Sequence, residues 1–420
     1  MTAEIISVGT EILMGNIVNT NAAYIAEKLA GMGIANYYQT VVGDNAVRLK
    51  KTIEQALTRS DVIIIGGGLG PTEDDLTKET AAACLGIELV FDDKAWNEIV
   101  WYFSKKGILL TDNNRKQAMV PAKDDGITLY NPNGTAPGII FEKDGKSVIL
   151  LPGPPSEMKP MWDDQVTPYL LRKTDKAIYS KMIKVVGVGE SKLEEEIKDM
   201  IHSSNPTVAT YAKTGEVHIR VTGSGKDEEE AKSVVKPVVK ELKSRFGEKI
   251  YTTDENVSLE QSVVELLEKN GLSVTTAESC TGGLLCARII NVPGASKVIK
   301  ESVVTYSNKA KRKRLGVKKS TLEKYGAVSE QTAGEMAVGA CELAKADVSL
   351  STTGIAGPDG GTDEKPVGLV YIGCNVCGKV KVKECHFRGT REIIRTRTVT
   401  EALSMLRMCL LEYYTDTKLK

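Results

Sequence analysis

The stretch DVIIIGGGLGPTEDDLT, residues 61–77, places an apolar strand directly before a glycine-rich loop and a run of acidic residues. Upstream of it, strand patterns at residues 3–8 and 37–42 alternate with helix patterns at residues 19–33 and 46–60. Alternation at these lengths predicts a parallel, doubly wound sheet. Such sheets bind ligands at the carboxyl ends of their strands. The loops GTEILMGN, VGDN and GGGLGPTEDD follow the three strands, and we therefore expect them to form a ligand site.

The order of strand and helix patterns changes twice along the 420 residues, which predicts an α/β chain of three domains. Residues 1–170 carry the doubly wound pattern. Residues 171–252 follow a strand, helix, strand, strand, helix order and predict a small α+β connecting module without a polar cluster. Residues 253–420 open with the capping box SLEQ at Ser258 and then alternate strands and helices, which predicts a second α/β domain.

Composition narrows the classes of partner. The chain has 55 basic and 55 acidic residues, so no net field favours nucleic acid or an anionic membrane, although the order of the middle module resembles RNA-binding modules. No apolar run approaches the roughly 20 residues that span a bilayer. The start MTAEIISVGTEIL has an acidic residue where a signal peptide has basic ones. We therefore expect a cytoplasmic protein without membrane or direct nucleic-acid partners.

The stretch TTAESCTGGLLCARII, residues 275–290, predicts a strand, a tight turn and a helix, the arrangement that presents a nucleophile. Ser279 and Cys280 are the two candidates at the turn. Free N–H groups at the start of the helix favour an oxyanion hole, and an equally good interpretation makes Ser279 a helix N-cap. A thiolate at Cys280 is the alternative nucleophile, because a helix N-terminus lowers the pKa of a thiol.

Two further loops suggest how a serine could work in a chain with three histidines. In VTYSNKAKRKRLG, residues 304–316, Lys311 could be a base if burial or neighbouring cations disfavour its ammonium form, although such a run usually marks a solvated surface. In TTGIAGPDGGTDEKPVG, residues 352–368, glycines and prolines predict a rigid wall for a planar ring or a phosphate, or simply a surface loop.

The glycine loop at residues 66–77 lacks the lysine and hydroxyl residue of a P-loop. It supplies Glu73, Asp74 and Asp75, which repel a diphosphate unless a divalent cation lies between them. Asp44, after the neighbouring strand, could complete an oxygen-rich metal site. Alternatively, each of these acids merely stabilises a helix N-terminus through its dipole.

Three motifs in the last third, AESCTGG (277–283), TYSNxxK (305–311) and GIAGPDGGxxxKPVG (354–368), resemble the nicotinamide-nucleotide amidase family over about residues 256–415. The resemblance implies hydrolysis of nicotinamide mononucleotide to nicotinate mononucleotide and ammonia without a cofactor. It implies Ser279 as nucleophile, Lys311 as base and Tyr306 as hydroxyl relay. The residues expected around the substrate are Cys280, Thr281, Gly282, Gly283, Gly354, Ala356, Gly357, Gly360, Gly361, Arg388 and Arg391.

The first 170 residues resemble the molybdopterin-binding, MoCF-like domain of the CinA (competence/damage-inducible) family, and the whole chain is similar to its full-length members. The motifs are SVGTEILMGNIVNTN, GGLGPTEDDLT, NNRKQA, NPNGTAPG and LLPGPPSEM. The resemblance implies cleavage of ADP-ribose to AMP and ribose 5-phosphate with Mg, Mn or Co. Asp74 stands where cofactor-synthesis relatives have an arginine, which favours a metal site. The expected ligands are Asp44, Asp74 and Asp75, and the expected substrate contacts are Gly67, Gly68, Gly70, Thr72, Asn133 and Gly134.

The resemblance thus implies a bifunctional enzyme of pyridine-nucleotide salvage that forms a homodimer. Two alternatives remain open at this point. One is an interaction protein of competence or DNA-damage responses, because a protein partner leaves no mark on composition. The other is a molybdopterin-binding module joined to a passive domain.

Overall fold

A computed structural model describes residues 1–174 and 177–418. The chain forms two compact units, of which the first contains residues 1–179 with residues 224–232 and the second contains residues 180–223 with residues 233–420. Most of the predicted middle module therefore belongs to the same unit as the C-terminal domain. No helix in the described residues is both long enough and apolar enough to cross a membrane.

The N-terminal domain alternates strands and helices as expected. In chain order its elements are β1 (Thr2–Val8), α1 (Thr10–Leu13), α2 (Thr20–Gly31), β2 (Ala35–Val42), α3 (Ala46–Arg59), β3 (Val62–Gly66), α4 (Thr77–Leu85), β4 (Leu89–Phe91), α5 (Asp93–Lys106), β5 (Met119–Pro121), β6 (Gly126–Leu129), β7 (Gly138–Lys143), β8 (Lys146–Leu151), α6 (Pro155–Met161) and α7 (Thr167–Lys173). A 3-10 helix, Asp112–Ala118, and a π-helical turn, Trp162–Val166, complete it.

Its main sheet has six strands in the order β2-β1-β3-β8-β7-β6. The first four are parallel, and β7 and β6 continue the sheet antiparallel. Successive residues of β3 point to opposite faces, so Ile63 and Ile65 pack in one apolar cluster while Val62 and Ile64 pack in the other. Burial on both faces explains why this strand is a continuous apolar run, and it confirms the predicted doubly wound core.

The middle module consists of β9 (Ala177–Val186), α8 (Glu190–Glu196), α9 (Lys198–Ile201), β10 (Thr207–Lys213), β11 (Glu216–Gly225), α10 (Glu228–Phe246) and β12 (Ile250–Thr252). Its sheet has the order β10-β11-β9-β12. The single helix predicted for SKLEEEIKDMI is interrupted at Ile197, whose backbone (φ −117°, ψ 11°) leaves the α-helical region. The short strand β12 is an addition to the predicted order.

The C-terminal domain is again α/β. Its elements are α11 (Leu259–Lys269), β13 (Val274–Glu278), α12 (Leu284–Ile290), β14 (Ile299–Val304), α13 (Asn308–Leu315), α14 (Lys319–Tyr325), α15 (Glu330–Ala344), β15 (Val348–Gly354), β16 (Leu369–Val376), β17 (Lys379–His386) and α16 (Arg391–Lys418). Two 3-10 turns, Gly247–Lys249 and Ala295–Lys297, lie before and within it.

The five strands of this domain have the order β14-β13-β15-β16-β17, with β13 parallel to both of its neighbours. Val274 of β13 packs with one apolar cluster and Ala277 with another, so helices cover both faces of the central strand. Only half of the predicted capping box is present at its start: Ser258 Oγ accepts the N–H of Gln261 at 3.2 Å, but the Gln261 side chain donates to Glu265 at 2.9 Å and does not return to Ser258. The central position of β13 places the loop that follows it between the ends of two parallel neighbours.

Candidate active site

Ser279 lies directly after β13, an interior strand of the C-terminal sheet. Glu278, the last residue of β13, pairs with Val304 of β14 and Thr352 of β15. The Ser279 N–H donates to the Thr352 carbonyl at 2.9 Å, and the Thr305 N–H donates to the Glu278 carbonyl at 2.8 Å. The backbone on both sides therefore holds the serine, whose exposed fraction is only 8%.

Lys311 on α13 reaches the predicted nucleophile. Its Nζ lies 2.9 Å from Ser279 Oγ, and it also donates to the carbonyls of Thr305 at 2.8 Å and Tyr306 at 3.3 Å. The lysine is 1% exposed. An ammonium group has three donors, and these three oxygens fix the direction of each. The structure thus brings together the serine and lysine that the sequence paired across 31 intervening residues.

Burial lowers the pKa of Lys311 from 10.5 to about 8. Desolvation disfavours the charged form of a lysine, and a neutral amine is what a general base requires. The sequence also suggested neighbouring cations as a cause, but Lys309, Arg312 and Lys313 are exposed, and burial is the cause of the shift. The basic run therefore has no necessary role in tuning this lysine.

Glu278 is a site residue that sequence reasoning missed. Its side chain is 1% exposed, and the carboxylate accepts the N–H groups of Gly283 at 2.9 Å, Leu285 at 3.0 Å and Cys286 at 2.8 Å. It thereby caps α12, where a negative charge is stabilised by the helix dipole. An acidic residue one position before the serine, followed by a helix, was the available signal.

This cap changes the expected oxyanion hole. The N–H of Gly283 is taken by Glu278, and the N–H of Gly282 donates to the Ser279 carbonyl at 3.2 Å. Both glycines have positive φ, +60° and +94°, which explains why glycine occurs twice in this turn. Among the described residues of the turn, the N–H groups of Cys280 and Thr281 remain the candidates for binding an oxyanion.

Cys280 does not have the environment of a thiolate nucleophile. It is 6% exposed, and burial raises the pKa of its thiol to about 11, although Lys311 and nearby backbone N–H groups oppose this rise. The helix dipole expected to lower the pKa is already met by the Glu278 carboxylate. The thiolate alternative is therefore disfavoured, and Cys280 is a small buried side chain whose sulfur remains in the thiol form at neutral pH.

Tyr306 contacts the site in a different way from the one expected. Its side chain is 64% exposed, and its hydroxyl accepts from Arg391 Nη2 at 3.4 Å, whereas its carbonyl is the group that Lys311 contacts. Arg391 also donates to the carbonyl of Gly357 at 2.7 Å. The predicted hydroxyl relay has no support in these contacts, and the phenol instead helps to hold Arg391 against the glycine-rich loop.

A second arginine near the serine was missed. Arg395 lies one helical turn after Arg391 on α16 and donates from Nη2 to the carbonyl of Thr281 at 2.7 Å, while its Nε is buried with no partner among the described residues. Arg388 is exposed, and its carbonyl accepts from Arg397 at 3.3 Å. Arg391 and Arg395, at i and i+4 on α16, thus contact the two loops beside the serine, and a role for Arg388 in binding the substrate stays a prediction.

The glycine-rich loop between β15 and β16 requires its glycines. A Cβ at Gly354 or Gly361 would come within 2.8 or 2.9 Å of backbone atoms on the returning side of the loop. Gly357 and Gly360 have φ of +75° and +89°. Ala356 is 4% exposed, so its methyl group lies inside this wall. The loop is compact, as the sequence predicted for a wall of a ligand site.

The N-terminal glycine loop is also compact. A Cβ at Gly67, where φ is +102°, would lie 2.2 Å from the backbone carbonyl at the end of β1. One at Gly68 would lie 2.1 Å from Thr77 Oγ1, and one at Gly70 would lie 2.4 Å from the Asp75 carboxylate. These glycines allow the strand, the loop and the start of α4 to approach one another closely.

The acidic residues of this loop gather around Thr72. Its Oγ1 lies 2.5 Å from Asp74 Oδ1 and 2.5 Å from Asp75 Oδ2, and its N–H donates to Asp75 Oδ2 at 3.0 Å. The hydrogen bond from Thr72 lowers the pKa of Asp74 below its usual value. Lys116, another residue missed from the sequence, donates to the carbonyls of Thr72 at 3.1 Å and of Asp75. The carboxylates of Asp74 and Asp75 and the ammonium group of Lys116 thus lie close to one another around Thr72.

The predicted set of three aspartate ligands is not assembled. Asp44 Oδ2 accepts from the N–H and Oγ1 of Thr10 at 2.9 and 2.7 Å. Within residues 1–174 and 177–418, no group of three or more His, Cys, Asp or Glu side chains is placed to hold a metal. Magnesium is commonly bound by one or two carboxylates together with substrate phosphates. Asp74 and Asp75 fit this mode of binding. They do not fit a site in which the protein supplies all the metal ligands.

The NPNGTAPG segment is held by its first asparagine. Asn131 Nδ2 donates to Glu157 Oε2 at 2.7 Å, and Asn131 Oδ1 accepts the N–H of Asn133 at 3.1 Å. A Cβ at Gly134 would lie 2.0 Å from the same Glu157 oxygen. The predicted contacts at Asn133 and Gly134 therefore lie on a turn whose shape depends on Asn131 and Glu157, and substrate contact at these two residues stays a prediction.

A cavity of about 330 Å³ lies at the carboxyl ends of β1 and β3. Asn21 lines it, donates to the carbonyl of Gly153 at 2.6 Å, and has a buried Oδ1 without a partner among the described residues. Other lining residues are Ser7, Val8, Glu11, Asn19, Thr20, Gly66, Pro154 and Pro155. The position agrees with the strand ends where the sequence placed a ligand.

The middle module has a polar cluster, which the sequence did not predict. Glu216 Oε2 accepts from the hydroxyl of Tyr251 at 2.6 Å and lies 3.3 Å from His218 Nε2. Arg288 of α12 lies 3.7 Å from Glu216 and 2.5 Å from Glu260. The side chains come from distant parts of the second unit, so no sequence spacing reveals them.

Comparison with known proteins gives three family matches that follow one another along the chain. Family models match the chain as a probable molybdopterin binding domain at residues 4–172, a damage-inducible protein CinA KH domain at residues 180–252, and a CinA C-terminal domain at residues 256–410. The KH match names a module that the sequence had described only by its element order.

Similar full-length proteins are known. A Clostridium beijerinckii protein named as competence-damage inducible is 49% identical over 413 residues, covering 98% of this chain and 100% of its own. A CinA-like protein of Kosmotoga olearia is 51% identical over 412 residues, covering 98% and 99%. The crystal structure of the competence/damage inducible protein CihA of Agrobacterium tumefaciens covers 36% of this chain and 93% of its own, with 44% identity and a TM-score of 0.35. The chain therefore belongs to the CinA family of competence-damage inducible proteins, with a MoCF-like N-terminal domain.

Proposed function

We propose that the C-terminal domain is an amidohydrolase that converts nicotinamide mononucleotide to nicotinate mononucleotide and ammonia. One observation carries the proposal: a lysine that is 1% exposed, with its pKa lowered to about 8, has its Nζ 2.9 Å from the hydroxyl of Ser279. Burial favours the neutral form of a lysine, and a nucleophile within hydrogen-bonding distance of a base is the expected arrangement for acyl transfer.

The chemistry follows from these two groups. Neutral Lys311 accepts the Ser279 proton while Oγ bonds to the carboxamide carbon, and the carbonyl oxygen becomes an oxyanion. The N–H groups of Cys280 and Thr281 lie at the turn where that charge develops. When the C–N bond breaks, the Lys311 ammonium returns the proton to the leaving nitrogen, and ammonia departs. The same lysine then takes a proton from the water that attacks the acyl carbon, and it returns that proton to Ser279 Oγ as the acyl carbon–Oγ bond breaks and nicotinate mononucleotide leaves.

The surroundings support a phosphorylated, planar substrate. Arg391 and Arg395 provide two cations on one face of α16 near the serine, and guanidinium groups bind phosphates through two parallel hydrogen bonds. The loop at residues 354–368 offers a rigid wall for the pyridine ring. We assign the arginines to the 5′-phosphate and the loop to the ring.

The direct test is incubation of the purified full chain with nicotinamide mononucleotide, with ammonia and nicotinate mononucleotide both quantified. We expect the two products in equal amounts, and none above background from Ser279→Ala. Free nicotinamide is the matched control substrate, because it has the same amide and no phosphate, and we expect it to react poorly. Absence of both products from the unmodified chain would refute the proposal.

We propose a second activity for the N-terminal domain, the hydrolysis of ADP-ribose to AMP and ribose 5-phosphate. The observation that favours it is the cavity of about 330 Å³ at the strand ends of a domain whose glycine loop presents two adjacent carboxylates. Asp74 and Asp75 would hold a divalent ion, Mg, Mn or Co, jointly with the phosphates. Such an ion neutralises the diphosphate and polarises the phosphorus–oxygen bond.

In this scheme the protein's own residues position the substrate. The close approach of Gly67 and Gly68 to neighbouring elements lets the loop backbone face a phosphate at the start of α4. Lys116 lies beside the carboxylates and balances their charge when no substrate is bound. The test is AMP production from ADP-ribose with and without each metal. Binding of molybdopterin without any cleavage of ADP-ribose would favour the alternative of a passive binding module.

We further propose that the protein works in the cytoplasm as a homodimer on these small nucleotides. A role in competence or DNA damage would then follow from nucleotide metabolism. If neither nucleotide is turned over under any metal condition, a role as an interaction protein becomes the better explanation.

A further inference from the structure

The basic run KAKRKR, residues 309–314, divides into two groups with different environments. Lys311 points inward and serves the serine, and its lowered pKa results from burial. Lys309, Arg312, Lys313 and Arg314 are exposed. Because the catalytic proposal uses only the buried lysine, it gives no reason for placing four more cations on a helix of eight residues.

In the part of the chain that the structure describes, no Asp or Glu oxygen lies within ion-pair distance of Lys309, Arg312 or Lys313. Two carboxylates do border the run: Glu323 lies 3.2 Å from Lys319, and Glu335 accepts from the Lys318 N–H at 2.9 Å. Lys309 and Lys313 are four residues apart on α13, where like charges repel one another, so this surface favours a bound anion.

The fold bends this surface into a concavity. Helix α13 ends at Gly316 with φ of +66°, and the chain turns so that Lys319 comes alongside the helix. The result is an open pocket of about 390 Å³ lined by Lys309, Arg312, Lys313, Val317 and Lys319. Four of the five lining side chains are cationic, and Val317 is the only apolar one.

We propose that this pocket binds a short chain of phosphates, either a free polyphosphate or the polyphosphate of a nucleotide. Several closely spaced cations match several closely spaced negative charges, and arginine adds bidentate hydrogen bonds to phosphate oxygens. The described lining contains no aromatic ring on which a base could stack, so the phosphates are recognised and the nucleoside is not. The net charge of the chain is zero, so the attraction is local to this pocket and does not extend to a long nucleic acid.

This site is separate from the proposed amidase reaction. The cations that we assign to the 5′-phosphate of the amidase substrate, Arg391 and Arg395, contact the glycine-rich loop and the serine turn, and neither lines the pocket. The proposal therefore stands or fails without reference to deamidation. A bound polyanion would, however, lie against the outer side of the helix that carries Lys311.

The test is calorimetric titration of the full chain with inorganic tripolyphosphate, which has no base or sugar. We expect saturable binding, at least about tenfold weaker in Arg312→Gln/Lys313→Gln and weaker at higher ionic strength. The matched control is Lys105→Gln/Lys106→Gln, which removes two adjacent exposed cations from α5, and we expect its affinity to stay within about twofold of the unmodified chain.

Further arms identify the source of the phosphates. ATP should compete with tripolyphosphate, and adenosine should not. A single-stranded oligonucleotide should compete no better than tripolyphosphate when the two are compared at the same concentration of phosphate groups. Thermal unfolding of each variant checks that it is folded. Equal weakening in the two double variants, or no saturable binding to the unmodified chain, would overturn the proposal. So would an oligonucleotide that binds while tripolyphosphate does not.

Discussion

The two candidate sites of this chain use the same architectural position in different ways. Each follows a central parallel strand and precedes a helix, β13 before α12 and β3 before α4. In the C-terminal site the proposed base already contacts the proposed nucleophile, and Lys311 Nζ lies among three oxygens. In the N-terminal site Asp74, Asp75 and Lys116 lie around Thr72, and the three predicted aspartate ligands do not form one group.

The difference reflects the chemistry proposed for each site. Acyl transfer by a serine needs only protein groups, so the fold can complete the site by burying a lysine. Phosphate ester or diphosphate cleavage assisted by a metal needs ligands from the substrate. The first site should therefore be sensitive to the loss of one side chain, and the second to the loss of a metal.

The largest effect is expected in the C-terminal site. Ser279→Ala and Lys311→Ala should each lower the kcat of deamidation by about a thousandfold or more, because either loss disables the same proton transfer. Steady-state kinetics of the double variant should show little further loss. A double variant whose loss equals the product of the two single losses would mean that the residues act independently.

The N-terminal site should show a smaller but metal-specific effect. Asp75→Asn should lower ADP-ribose cleavage by about a hundredfold, since it removes one of two adjacent carboxylates from a divalent ion. EDTA should abolish this activity and leave deamidation unchanged. ADP-ribose turnover that persists in EDTA would remove the metal from the scheme, and loss of deamidation in EDTA would break the contrast between the two sites.

The pH dependence sharpens the same contrast. Because burial lowers the pKa of Lys311 to about 8, its neutral, basic form is the minor species at pH 7 and the major species at pH 9. We expect kcat/KM for deamidation to fall about tenfold per pH unit below 8 and to level off above it. A profile that stays flat from pH 6 to pH 9 would show that the lysine is not the titrating base.

The smallest effect is expected at the neighbour of the nucleophile. Cys280→Ala should keep deamidation within about threefold of the unmodified chain, because the residue contributes a backbone N–H and a small buried volume. The measurement is kcat/KM together with thermal unfolding, so that instability is separated from chemistry. An inactive but folded Cys280→Ala beside an active Ser279→Ala would restore the thiolate mechanism.

Local sequence patterns were sufficient for most of the fold. The alternating strands and helices and the N-cap at Ser258 are present in the structure. These features depend on periodicity and on residues a few positions apart, so a single stretch contains the information. The break at Ile197 and the added strand β12 depend on packing with other segments, and periodicity does not report such contacts.

The site shows the same division. Motifs in the sequence identified Ser279 and Lys311, but only the tertiary structure placed Nζ against Oγ and buried the lysine deeply enough to lower its pKa. Only the tertiary structure showed that Lys311 contacts the carbonyl of Tyr306 and that Arg395 donates to the carbonyl of Thr281.

What the sequence determined by itself is the type and order of the elements and the identity of the reactive groups, because these are local properties of the chain. Only the tertiary structure decided which donors are already used. Glu278 takes the helix N–H groups that seemed free for an oxyanion, and Asp44 is held by Thr10 and does not join Asp74 and Asp75. The reason is physical: hydrogen bonding and desolvation depend on distances between residues that are remote in sequence, and those distances exist only after the chain has folded.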